Sequence, residues 1–181
     1  EEQLAEITTQ AEAIMSALRA EHVSVKYDHS TTQRPGAKFA QHELQGVPLR
    51  IAIGPKDLES GTVELARRDT LIKQVVDLEN LTATVKTLIT EIQTDLFQKA
   101  LDFRASHITE VDTFEMFKTV LEEKTGFISA HWDGTTETED KIKELTKATI
   151  RCIPLDSKLE EGVCVFSGQP SKQRVLFAKA Y

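Results

Sequence analysis

The stretch Lys38–Thr70, KFAQHELQGVPLRIAIGPKDLESGTVELARRDT, limits what this chain can fold into more than any other part of it. Two β-rich runs, Val47–Ile53 and Thr62–Arg67, are bracketed by Gly46, by Gly54-Pro55 and by Gly61. Glycine and proline supply the backbone of tight connections, so the stretch reads as strand, turn, strand, with charged side chains at its edges. Just upstream, Pro35 and Gly36 open a helix over Ala37 to Leu44, because proline suits a first helical turn and Gly46 suits a helix end.

The rest of the first half fits around that platform. Apolar Leu4, Ile7, Ala11, Ile14, Met15 and Leu18 recur at helical spacing, with Glu1, Glu2 and Glu6 near the positive end of the helix dipole. Val23–Tyr27 alternates as a short strand, His29–Arg34 is a loop, Lys56–Ser60 allows one helical turn, and Lys73–Asp77 is a further candidate strand. The order is α-β-α-β-β, an α/β unit with a small mixed sheet flanked by helices. From Leu81 to about Val111 the pattern is helical without a Pro or Gly, with Asn80 as a capping residue. The domain junction is expected on this helix near Ile108–Asp112, giving domains 1–108 and 109–181. The second part predicts a helix over Phe114–Glu123, a strand over Phe127–Trp132 and a helix over Glu137–Thr146. Strands at Thr149–Pro154, Val163–Phe166 and Val175–Ala180 follow, with Ser167–Gln173 as a hairpin loop. This is a small α+β unit.

Bulk properties narrow the class. The chain has 181 residues, 40% hydrophobic and 28% charged, which suits one large or two small globular domains. It opens on Glu1, which reads as the start of a cut or processed chain. No apolar run approaches the ~18 residues of a membrane span and no signal-peptide pattern opens the sequence, so no membrane partner is expected. Only Cys152 and Cys164 occur, which suits a reducing cytoplasm rather than a disulfide scaffold; Cys152 reads as a small buried residue. The formal charge is −7, yet Arg34, Lys38, Arg50, Lys56, Arg67 and Arg68 outnumber Glu43, Asp57, Glu59 and Glu64 in their segment. A local basic patch on an acidic body meets phosphate at a defined place, or is a solvated surface with chance clustering.

The runs RPGAKFAQHEL, GVPLRIAIGPKDLESG and VELARRDT resemble the anticodon-binding domain of the eukaryote-like, archaeal-type class of prolyl-tRNA synthetases. The runs HWDGTTETEDKIKE, ATIRCIPLD and LFAKAY resemble the extra C-terminal domain of that class, so the likeness covers the whole chain. It implies the tRNA-recognising C-terminal part of a proline-tRNA ligase, with ATP, magnesium and the joining chemistry in an upstream catalytic domain. The chain alone is then non-catalytic and without a cofactor. Its partners are the anticodon stem-loop of proline tRNA and its own catalytic domain. The full enzyme is expected to be a homodimer and this chain a monomer.

Proline anticodons end in two guanines, whose N1–H and N2–H groups suit a carboxylate and whose O6 and N7 suit arginine or lysine. The resemblance assigns Glu43 and Arg50 to guanine edges, Phe39 to base packing, and Lys56 with Asp57 to the rest of the polar pocket. Arg67 and Arg68 are weaker candidates for phosphate. Read without the resemblance, Phe39 is a core residue of an amphipathic helix, Glu43 and Arg50 are a surface ion pair worth under ~1 kcal/mol, and Lys56 and Asp57 solvate a turn. His42 departs from the tryptophan that relatives commonly carry.

The resemblance also implies a zinc site of four cysteines, which falls on Asp133, Thr138, Cys164 and Ser167. One thiolate, one carboxylate and two hydroxyls are a poor zinc site, so no zinc is expected, with Trp132 anchoring the unit instead. Tyr181 corresponds to a terminal tyrosine that reaches the catalytic domain. No phosphate-binding lysine loop, dinucleotide glycine fingerprint or serine elbow occurs in the sequence. Two other readings remain at this stage. One is a non-catalytic scaffold or dimerisation module using the Leu81–Val111 helix. The other is a small-molecule enzyme built on Asp133, His131 and Cys164.

Overall fold

A computed structural model describes residues 2–179, which divide into two compact units, Glu1–Gln98 and Lys99–Tyr181. The first is a helix-flanked sheet and the second a small α+β unit, as the sequence predicts. Tyr181 lies outside the described residues, as do Glu1 and Ala180.

In the first unit α1 (Glu2–Ala20) turns Ala11 and Leu18 into the core on the expected stripe, while Leu4 stays exposed. After α2 (Pro35–Leu44), β1 (Leu49–Ala52), α3 (Pro55–Ser60), β2 (Thr62–Arg67) and β3 (Lys73–Asp77) follow. The strands form a sheet in the order β1-β2-β3, antiparallel at both joins, so Lys73–Asp77 is a genuine third strand. The register places Arg50 opposite Ala66 and Ala66 opposite Lys73. Side chains alternate across a strand, so Val63 and Leu65 enter the core while Arg50, Glu64, Ala66 and Lys73 share the opposite face. Leu18, Val63 and Leu65 pack with Leu81, Val85 and Leu88 from the following helix.

Val23–Tyr27 is not a strand. Its alternation reflects Val23 and Val25 packing on the core, but its backbone joins no ladder.

The long helix α4 (Leu81–Ser106) stops short of the expected Val111. Residues Ile108–Glu110 instead form β4, pairing in parallel with β5 (Phe127–His131). The β-branched Ile108, Thr109 and Val111 favour a pleated surface, and a neighbouring strand is available to take them. After α5 (Phe114–Glu123), β5 and α6 (Thr136–Thr146) come β6 (Ala148–Cys152), β7 (Gly162–Val163), β8 (Pro170–Ser171) and β9 (Arg174–Lys179). The four-stranded sheet runs β4-β5-β9-β6 and is mixed. The expected strand over Val163–Phe166 shrinks to β7, and the expected hairpin loop supplies its partner β8. Phe117, Ile128, Ile142, Val175 and Phe177 fill this core. Cys152 is exposed rather than buried, because β6 bulges between Ile150 and Cys152, and Cys164 is buried.

Gly126 fixes the start of β5. Its φ is +120°, and a Cβ there would lie 2.2 Å from the His107 carbonyl oxygen. That carbonyl accepts from the Phe127 amide at 2.8 Å, so the backbone cannot retreat without breaking the join between the two parallel strands. Gly126→Ala is therefore expected to destabilise the chain by about 2–4 kcal/mol, read as a lower urea midpoint.

Candidate functional site

The charged face of the first sheet meets α2 in an open groove of about 290 Å³, lined by Gly36, Phe39, Ala40, Glu43, Arg50, Ala66, Arg67, Leu71 and Lys73. The sequence builds it simply. Pro35 starts α2 from an extended Arg34. Phe39 and Glu43 are four residues apart and so share one helix face. Arg50 rises from β1 beneath them, and Ala66, opposite it, is small enough to leave a floor.

Arg50 is the centre. Its guanidinium carbon lies 3.5 Å from the centroid of the Phe39 ring, a cation–π stack. Nη1 faces Glu43 Oε1 at 3.6 Å and Nη2 faces Glu64 Oε1 at 3.5 Å. These are ion-pair distances, longer than the 2.7–3.2 Å of a good N–H···O hydrogen bond. Nε is buried without a hydrogen-bond partner. The group is thus held flat and in place while its hydrogen-bonding capacity goes largely unspent. Glu64 also pairs with Lys73 Nζ at 3.1 Å, so charges alternate from Glu43 through Arg50 and Glu64 to Lys73.

The outer side of α2 is clamped. Asp28 takes Lys38 Nζ at 3.2 Å and His42 Nε2 at 2.9 Å. The His42 hydrogen bond, helped by the Ser30 amide, lowers the Asp28 pKa to about 2. His42 therefore serves here as a tether between α2 and the preceding loop.

The structure brings Phe39, Glu43 and Arg50 together, with Arg67 also on the groove, and sets Lys56, Asp57 and Arg68 outside its lining. Asp57 Oδ2 accepts the Gly54 amide at 2.8 Å and so caps α3, and Lys56 is exposed on that helix; neither lines the groove. Arg67 is committed to carboxylates: Asp69 in a bidentate pair, Asp95 at 2.7 Å and Glu91 at 3.3 Å. Hydrogen bonds that Arg67 donates to Asp69 and then to Asp95 raise its already high pKa, while the Asp69 contact lowers the pKa of Asp69. A phosphate would have to displace those anions. Arg68 is exposed, and its amide ties the strand to Pro48. Lys73 and Leu71 are groove residues that the sequence reading missed, and Glu64 is an ion-pair partner of Arg50 that it also missed. For Glu64 and Lys73 the sequence offered no signal of its own; the observed β1-β2-β3 register puts them on the Arg50 face.

In the second unit, three of the four positions that the resemblance assigns to metal do converge, on a carboxylate. Asp133 Oδ2 accepts from Thr138 Oγ1 at 2.8 Å and Ser167 Oγ at 2.5 Å, and Oδ1 accepts from the amide and hydroxyl of Thr135. Burial works to raise the Asp133 pKa, but the Ser167 and Thr138 hydroxyls with the Thr135 groups outweigh it and hold it at about 2. Hydroxyls donating into one carboxylate are not zinc ligands, so this donor set does not fit the metal. No group of three or more His, Cys, Asp or Glu suited to a metal occurs among the described residues.

Trp132 packs on the second core and donates to the Thr135 carbonyl. His131 belongs to a separate network with Ser171 at 3.1 Å and Glu160 at 2.9 Å. Asp133 and His131 thus serve different hydrogen-bond systems, which removes the basis for a small-molecule active site there. No helix among the described residues is long and apolar enough to cross a membrane.

Comparison with known proteins agrees with this division. The family described as "Anticodon binding domain" matches residues 2–88, and the one described as "Prolyl-tRNA synthetase, C-terminal" matches residues 114–181. A proline–tRNA ligase of Christiangramia forsetii is 64% identical over 181 residues, and that of Flavobacterium johnsoniae is 63% identical over the same length. One from Porphyromonas gingivalis is 56% identical. All of this chain is covered in each case, but it spans only 37%, 37% and 36% of the relatives' own lengths.

The Asp133 hub has a sign that can be checked. A carboxyl held at about 2 stabilises the fold above its unfolded pKa of about 4, and loses that contribution as pH falls through about 2. Asp133→Ala, which strands four donors, is expected to cost about 1–3 kcal/mol at neutral pH. In Asp133→Asn the acid-induced loss of stability between pH about 4 and 2 should shrink in urea titrations.

Proposed function

The chain belongs to the prolyl-tRNA synthetases, and we propose that its first unit reads the anticodon of proline tRNA through the Phe39–Arg50–Glu43 groove. The observation that carries this reading is the state of Arg50. It is an arginine stacked flat on an aromatic ring, steered by two carboxylates, with its donors hardly used.

The chemistry fits a guanine edge. The Glu43 carboxylate accepts from N1–H and N2–H, which only guanine presents side by side. Arg50 donates to O6 or N7 through its Nη groups. Phe39, with Arg50 against it, gives a flat surface on which an unstacked base rests. Glu64 holds the guanidinium from the other side and serves as a positioning residue. Lys56 and Asp57, which lie outside the groove lining, would take part only if the RNA extends as far as α3, and exposed Arg68 is the better phosphate contact, since Arg67 is already neutralised.

The full protein joins proline to its tRNA with ATP and magnesium in a catalytic domain that this chain does not carry. Within that whole enzyme, a cytoplasmic homodimer, Tyr181 contacts the catalytic domain. The chain alone is a monomer that binds RNA without aminoacylating it. Its second unit needs no zinc, because the Asp133 hydrogen bonds tie together the positions a metal would.

A second reading, an interaction module, has one observation in its favour. Ile89, Leu96 and Phe97 lie at helical spacing on α4 and are exposed, Phe97 by 64%. Sedimentation of the isolated chain separates the two readings, since the module reading expects self-association and the anticodon reading a monomer.

The direct test is binding to a proline-type anticodon stem-loop at fixed moderate salt, beside a loop with both guanines replaced. The intact loop should bind at least roughly tenfold more tightly, and Arg50→Ala or Glu43→Gln should remove about 1–3 kcal/mol of that discrimination. Equal binding of both loops by the unaltered chain would overturn the reading.

A further inference from the structure

Leu71 does not look like a residue placed for stability. It sits in the turn between β2 and β3 with φ +60°, the left-handed region, where a side chain with a Cβ is strained and glycine or asparagine is at ease. It is 71% exposed, so its side chain repays nothing through burial in the core. The turn fixes it firmly all the same. Its amide donates to the Arg67 carbonyl at 3.0 Å, and the Arg67 amide returns to the Ile72 carbonyl at 3.0 Å. Neighbouring Ile72 and Val75 are also exposed, but neither lines the groove. Leu71 does, together with Phe39 and Arg50.

We infer that Leu71 is an affinity-determining contact of the groove, an apolar side chain that closes over the face of a purine base seated between Phe39, Glu43 and Arg50. This rests on the anticodon reading and extends it to a residue outside the polar set. A base face is apolar and π-rich, and an isobutyl group laid on it removes water from both surfaces. Excluding water there also strengthens the hydrogen bonds at the base edge, because charge–dipole interactions gain in a lower dielectric. In the free chain the leucine is strained and wet; over a bound base it is dry. The turn thus stores a small cost in the unliganded state that base burial offsets.

Stability and binding should therefore move apart. Leu71→Gly is expected to leave the urea midpoint unchanged or raise it, since the left-handed strain goes. The same change should weaken binding of the intact proline-type stem-loop roughly tenfold, the scale set by partial burial of one leucine. Leu71→Asn, which tolerates the same backbone, should weaken binding equally, and Leu71→Met should recover most of it. The loop with replaced guanines, which does not seat in the groove, should show little change in any variant.

If Leu71→Gly and Leu71→Asn bind the intact loop as tightly as the unaltered chain does, the inference fails while the anticodon reading stands. A loss of binding that tracks a loss of stability in both variants would also overturn it, assigning Leu71 to the turn instead. If the unaltered chain does not distinguish the two loops, the anticodon reading fails first.

Discussion

The groove of the first unit is organised around where the Arg50 guanidinium is held. An arginine in solution samples many rotamers, and ordering it costs up to about 2 kcal/mol of side-chain entropy. Here that cost is met before any ligand arrives. The stem is mostly buried, the ring of Phe39 lies 3.5 Å away, and Glu43 and Glu64 pull on the two Nη groups from opposite sides. None of these contacts is tight enough to consume the donors. A close bidentate carboxylate would have left fewer donors free, as Arg67 shows on the adjacent strand with Asp69 and Asp95. The same residue type, in the same sheet, is spent in one place and reserved in the other.

That placement rests on the ladder beneath it. Because Arg50 stands opposite Ala66, and Ala66 opposite Lys73, the row across the sheet reads large cation, small residue, large cation. A one-residue slip would carry Arg50 to the core face and Ile51 to the groove, so the register and the make-up of the groove are set by the same hydrogen bonds. The hydrophobic alternation of β2, with Val63 and Leu65 fully buried, is what pins the register.

The sequence made part of this legible. Pro35, Gly46 and Gly61 act locally, and the elements they bound are found where the sequence expects them: α2, β1 and β2. The pairing of Phe39 with Glu43 also follows from helical spacing. What the sequence could not show is long-range. Glu64 becomes a partner of Arg50, and Lys73 a groove residue, only through strand register, and Leu71 lines the groove only through a backbone φ that its residue type argues against. The same limit explains the errors. Val23–Tyr27 alternates because its valines are buried, and burial does not require a ladder. Helical spacing beyond Ser106 lost to a parallel partner strand that lies twenty residues further on. Cys152 was expected inside, but a bulge, which composition does not announce, carries it out.

In the second unit a carboxylate joins chain segments that lie apart in sequence. A tetrahedral metal would tie four chain segments through one centre. Here Asp133 ties the turn after β5, the first turn of α6 and the loop after Cys164 through one carboxylate. The two solutions differ in what they ask of the cell. A metal centre is lost to chelators and to thiol oxidation, whereas a carboxylate held at a pKa of about 2 is lost only in strong acid. The carboxylate is also less directional, because hydroxyl donors rotate to suit. The arrangement therefore relies on its neighbours for rigidity: Trp132 packs on the core and donates to the Thr135 carbonyl, and Thr135 in turn caps α6. The hub is strong because the residues that donate to it are themselves fixed by the core, which places its stability in the packing of the unit as a whole rather than in any single bond.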